Sequence, residues 1–159
     1  MLIRLSKIQI ISLAVLIIVA FSANANEPVS KNFLTGVAIS GHDTVAYHNI
    51  GNSEPHRAIK GTKTWKASWK GADWLFTSKA DRDAFSANPE RYSPAYNGFC
   101  ANALSLGEGL IKTDGTHWQI FDDRLYTFYA ARGRDRWLSG DFEEYKAVAD
   151  KAWKEIIGN

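Results

Sequence analysis

The sequence predicts a small α+β domain: two β-hairpins interleaved with short helices, closed by a C-terminal amphipathic helix. Three observations lead there. In Thr64-Trp65-Lys66-Ala67-Ser68-Trp69 polar and apolar residues alternate with the period of two that marks a half-buried strand. A second pair of strand-like runs flanks Asp122-Asp123, a turn dipeptide. Near the end, Phe142, Tyr145, Ala149, Ala152, Trp153 and Ile156 recur at spacings of three and four, one apolar stripe on a helix. Hairpins mixed with helices argue against the parallel sheet of repeated βαβ units. At 159 residues the chain suits one domain.

Residues 1–25 read as a secretory signal rather than as part of that domain. Arg4 and Lys7 precede an apolar stretch from Ile8 to Phe21, and Ala23-Asn24-Ala25 supplies small residues before a cut at Asn26. A membrane anchor is the weaker reading, because the apolar stretch falls short of the roughly 20 residues a span needs. The domain is thus expected in the periplasm or outside the cell, with no stable membrane insertion once the signal is gone. Residues 26–35 are polar and unpatterned, and are expected to be a flexible lead-in. Asp43–His48, with Thr44, Val45 and Tyr47, is expected as a short strand, and residues 51–55 as a turn.

The clearest hairpin comes next. Residues 64–69 should bury Trp65, Ala67 and Trp69, turn through residues 70–73, and return along Trp74-Leu75-Phe76-Thr77. Ser78 with Asp81 three residues on is a helix start, and Asn88-Pro89 stops that helix. After a turn at Asn97-Gly98, a short helix is expected from about Phe99 to Leu106, ended by Gly107. The second hairpin pairs residues 118–121 with 125–129. Asp141, with Glu144 three residues later, caps the last helix.

Composition narrows the function classes. Cleavage removes Arg4 and Lys7 and leaves 17 basic against 17 acidic residues. The sequence pI of 8.6 therefore belongs to the precursor, and no basic excess points to nucleic acid as partner. Phosphate loops, dinucleotide fingerprints, nucleophile elbows, H-E-x-x-H and haem-attachment motifs are absent from the sequence. The one cysteine, Cys100, cannot form an internal disulfide. The core must come from the rings (six Trp, six Tyr and eight Phe), each able to bury about 150–250 Å².

Cys100 is the residue best suited to chemistry. If Asn97 or Gly98 caps its helix, the sulfur sits in the first turn, where the helix dipole favours thiolate, the form that ligates soft metals. The alternative is a small, buried, inert cysteine. The histidines are His42, His48, His56 and His117. His42 and His48, six apart, share a face only on a continuous strand. His117 starts a strand that should lie near the Cys100 helix, and His56 lies in a turn away from the other elements.

Several blocks resemble exported YHS-domain proteins. Gly41-His42-Asp43-Thr44-Val45-Ala46-Tyr47-His48 is similar to the family's G-Y-D-P-V-A-Y-F opening. Residues 69–76, 85–94 and 96–101, then Leu125-Tyr126, follow in the family's order and span about residues 36–157. The resemblance implies a core related to treble-clef zinc folds and a metal-binding role, with Cys100 as the ligand that carries over. His42 and His48 stand where the family usually has aromatic residues, so no histidine site is inherited.

Taken together, the expected function is an exported metal-binding protein that handles or senses copper through Cys100, with His117, His42 and His48 as further candidate ligands. Zinc fits less well, since a closed structural site usually needs two or more cysteines. A metal-delivering or metal-receiving protein would be the partner. Two other readings stay open: a non-enzymatic interaction module in which Cys100 is structural, and a thiol enzyme with His117 as base.

Overall fold

The computed structural model describes residues 27–53 and 56–158. The signal segment and its cut before Asn26 lie outside the described residues. The fold is the expected one: two antiparallel two-stranded hairpins, short helices between them and a long C-terminal helix.

The first hairpin pairs β1 (Thr62–Trp69) with β2 (Ala72–Phe76). The two-residue turn Lys70-Gly71, both with positive φ, starts β2 earlier than the sequence suggested. The alternation of β1 holds, but Trp65, Ala67 and Trp69 are half-buried rather than buried. The buried work falls to Trp74 and Phe76 of β2, which pack with Phe85. Phe85 belongs to α2 (Lys79–Ala87), whose Ser78 side chain accepts from the Asp81 N–H. Asn88 and Pro89 stop α2 and also start α3 (Pro89–Tyr92), where proline sits at the first position.

The second hairpin, β3 (His117–Phe121) and β4 (Arg124–Phe128), turns at Asp122-Asp123. Its faces serve two cores. Trp118 and Leu125 join Tyr47 on one side. Tyr126 and Phe128 face the stripe of α6 (Phe142–Ile157) on the other, with Asp141 capping that helix as expected.

Three local expectations are corrected. Residues 43–48 are not a strand. They form the start of α1 (Thr44–Ile50), because the Asp43 side chain accepts from the Ala46 N–H and caps a helix that β-branched residues tolerate. The presumed flexible lead-in is docked: Val29 and Ser30 are buried, and Ser30 exchanges backbone and hydroxyl bonds with Asn97, Ile39 and Thr113. The helix near Cys100 is shorter than expected: α4 covers Ala101–Ser105, with Cys100 at the capping position. One helix, α5 (Ala131–Ser139), was not anticipated.

Candidate functional site

Cys100 lies between two elements that hold it firmly. Its backbone forms a parallel bridge to Thr127 of β4, and its N–H donates to the Ile111 carbonyl at 2.8 Å. Its Sγ does not cap α4 but accepts from the Tyr129 N–H at 3.3 Å. The side chain is 4% exposed. The sulfur thus satisfies a backbone donor where the chain leaves β4, a structural use of the thiol.

The histidines do not gather round it. His42 is buried, with Nδ1 3.1 Å from the Ile39 carbonyl oxygen. His48 lies on α1 with its ring edge-on to Tyr92 and no hydrogen-bond partner for its buried Nε2. Burial, and then the charges of Arg91 and Arg124, push its pKa down to about 4. Since residues 43–48 are helical, the strand that would have put His42 and His48 on one face does not exist. His117 opens β3 opposite Phe128. His56 is not remote: it meets Arg134 at 3.1 Å and packs edge-on against Trp118.

One partial convergence exists around Asp114. Burial alone would raise this carboxyl, but bonds from Thr116, and then the imidazoles of His42 and His117, hold it below its ordinary value. Even so, among the described residues no three His, Cys, Asp or Glu side chains form a group that could hold a metal ion. Cys100, His42, His48 and His117 therefore do not converge on a common ion among the described residues. His117 also does not line the cleft at Cys100, where a general base would stand.

Two clefts of about 360 Å³ each meet at Tyr129. One is walled by Cys100, Ala103, Glu108, Ile111 and Arg132. The other is lined by Lys31, Asn32, Phe33, Ser40, Lys112 and Asp114, with Tyr129 shared. Its aromatic residues are not core: Phe33 is 91% exposed and Tyr129 66%. Phe33 is held out by a tight turn, in which the Asn32 Oδ1 accepts from the Leu34 and Thr35 N–H groups, both at 2.9 Å. Ser40, which also lines the cleft, and the buried Ile39 before it both have positive φ (53° and 37°), a costly conformation, above all for a β-branched residue.

Sequence reasoning missed this surface because Asn32 and Phe33 fell in the presumed lead-in. The Asn-x-x-Thr spacing of Asn32 and Thr35 was the available signal for a side-chain-closed turn. Comparison with protein-family models, with curated proteins and with solved structures found no match for this chain.

Proposed function

We propose that the chain is an exported, non-enzymatic binding module of the YHS-domain type, which takes a ligand or partner at the clefts beside Tyr129, with Cys100 serving the fold. The family and the export rest on the sequence motifs. The binding role rests chiefly on one observation: two aromatic side chains, Phe33 and Tyr129, are held in solvent on the wall of a polar cleft, where they contribute little to folding. The structural role of Cys100 is supported by its burial and by the Tyr129 N–H that its sulfur accepts.

The copper reading and this one make opposite forecasts. Titration with Cu(I), Cu(II) and Zn(II) should give affinities that Cys100→Ser, His42→Ala, His48→Ala and His117→Ala leave within about threefold of the unmodified protein. A loss of Cu(I) affinity of about tenfold or more in Cys100→Ser, with the fold intact, would overturn the proposal and restore copper handling.

A further inference from the structure

The cleft between Phe33 and Tyr129 carries an unusual combination of unused groups. Among the described residues, no hydrogen bond engages the Lys112 ammonium, the Ser40 hydroxyl or the Asn32 amide nitrogen; the Asn32 Oδ1 is spent on its own turn. Asp114 adds a carboxylate, one oxygen of which accepts from the Thr116 N–H at 2.8 Å. Donors (Lys112, Asn32), an acceptor (Asp114) and a group that is both (Ser40) therefore line the same cleft as two exposed rings.

That mixture selects a ligand class. An anion would be attracted by Lys112 but repelled by Asp114, and the second lysine of the lining, Lys31, already donates its ammonium to the Gly71 carbonyl. An apolar ligand would strip water from both charges and return nothing. A polyhydroxylated ring suits both features. Each hydroxyl donates and accepts, and the C–H groups on one face of a pyranose carry partial positive charge that rests well on the electron-rich face of an aromatic ring. Ser40 is set at the cleft wall by a turn through Ile39 and Ser40, both with positive φ, that the Gly41 N–H closes on the Ala38 carbonyl at 2.7 Å.

We propose that this cleft binds a short neutral oligosaccharide, with Phe33 and Tyr129 as stacking surfaces and Asn32, Ser40, Lys112 and Asp114 as hydrogen-bonding groups. The inference deepens the binding-module reading and rests on it.

The test is titration of the purified, ¹⁵N-labelled protein with maltotriose, cellotriose and triacetylchitotriose, read by amide shifts and calorimetry. At least one trisaccharide should give saturable shifts at Ser40, Lys112 and Tyr129. Tyr129→Ala and Asp114→Asn should each weaken binding by about tenfold or more, while Tyr129→Phe keeps it. Tyr129 is largely exposed, so its variants should melt with the unmodified protein. No saturable shift up to about 10 mM of any of the three, or binding indifferent to both weakening variants, overturns the saccharide proposal. The tripeptide Leu-Phe-Leu separates the two levels of inference. If it shifts the same amides where the sugars do not, the saccharide is wrong and the binding module stands; if neither probe shifts them, both fall.

Discussion

Replacing Asp43 by alanine tests how the segment carrying His42 is tied into the domain. The Asp43 side chain is fully buried, and its two oxygens serve two elements. Oδ1 accepts from the Ala46 N–H at 2.9 Å and caps α1, while Oδ2 accepts from the Thr77 N–H at 2.7 Å just after β2. A buried donor left unpaired costs about 1–3 kcal/mol. Water can reach the partly buried bond to Thr77, so Asp43→Ala should lose about 2–4 kcal/mol in all. Asp43→Asn should lose less, since its one oxygen still serves one donor. Burial, opposed by the bonds from Ala46 and Thr77, raises the carboxyl above its ordinary 3.8. A raised acid favours folding most below 3.8 and loses that contribution as pH rises through the folded value, so the cost of Asp43→Ala should be larger in acid than at pH 7. Urea denaturation at both pH values gives the energies, and hydrogen exchange should show the Ala46 and Thr77 amides losing protection together. A cost below about 0.5 kcal/mol, or unchanged protection at both amides, would refute the role assigned to the carboxylate.

Three further outcomes are expected. Trp137 is 1% exposed and meets Phe121, Tyr126, Phe128, Phe142 and Tyr145 at centroid distances of 5.4 to 6.3 Å. Trp137→Ala should therefore cost about 3–5 kcal/mol in denaturant titration, and Trp137→Phe markedly less, because it also removes an indole N–H that finds no acceptor. His48, held near 4 against an ordinary 6.5, is neutral in the folded state, so stability should fall as pH drops from 6.5 towards 4. At 1.36 kcal/mol per unit the loss is about 3 kcal/mol at most, and a His48→Gln variant should lack it in a pH-resolved melting series. Cys100 should react with a thiol reagent far more slowly in the native protein than in urea; equal rates would contradict its burial.

The parts of the fold legible in the sequence are those where one local signal dominates. The stripe of α6, the Ser78 and Asp141 caps and the Asp122-Asp123 turn each need only neighbours within a few residues, and each stands as read. Residues 43–48 were misread because two signals conflicted. Thr44, Val45 and Tyr47 favour a strand, but one capping carboxylate shared between α1 and the end of β2 outweighs that weak preference. Helix α5 was hidden by its own packing: Gly133 lowers helix propensity, yet a Cβ there would lie 3.1 Å from Asn102 Cβ, a tight contact that glycine relieves where α5 approaches α4. Its Arg136 then bonds Asn102 and Ser105 across the same contact.

The candidate site was hard to read for a different reason. Its residues come from four separate places: the turn at Asn32-Phe33, the strained Ser40, the Lys112–Asp114 loop, and Tyr129 beyond β4. Polar bonds across long sequence distances assemble them, and such bonds leave no periodic trace. Ser30 ties the first strip to the third by accepting from the Thr113 N–H at 3.0 Å while its own hydroxyl donates to the Thr113 carbonyl at 3.2 Å. Its backbone N–H reaches the Asn97 carbonyl, and its carbonyl takes the Ile39 N–H. A buried serine making four such bonds reads in sequence as one more polar residue in a polar stretch. Cys100 shows the converse. Its position before a short helix drew attention to its reactivity, but the same backbone order that builds the cleft directs the Tyr129 N–H onto its sulfur. That bond links the thiol to Tyr129, the residue the two clefts share.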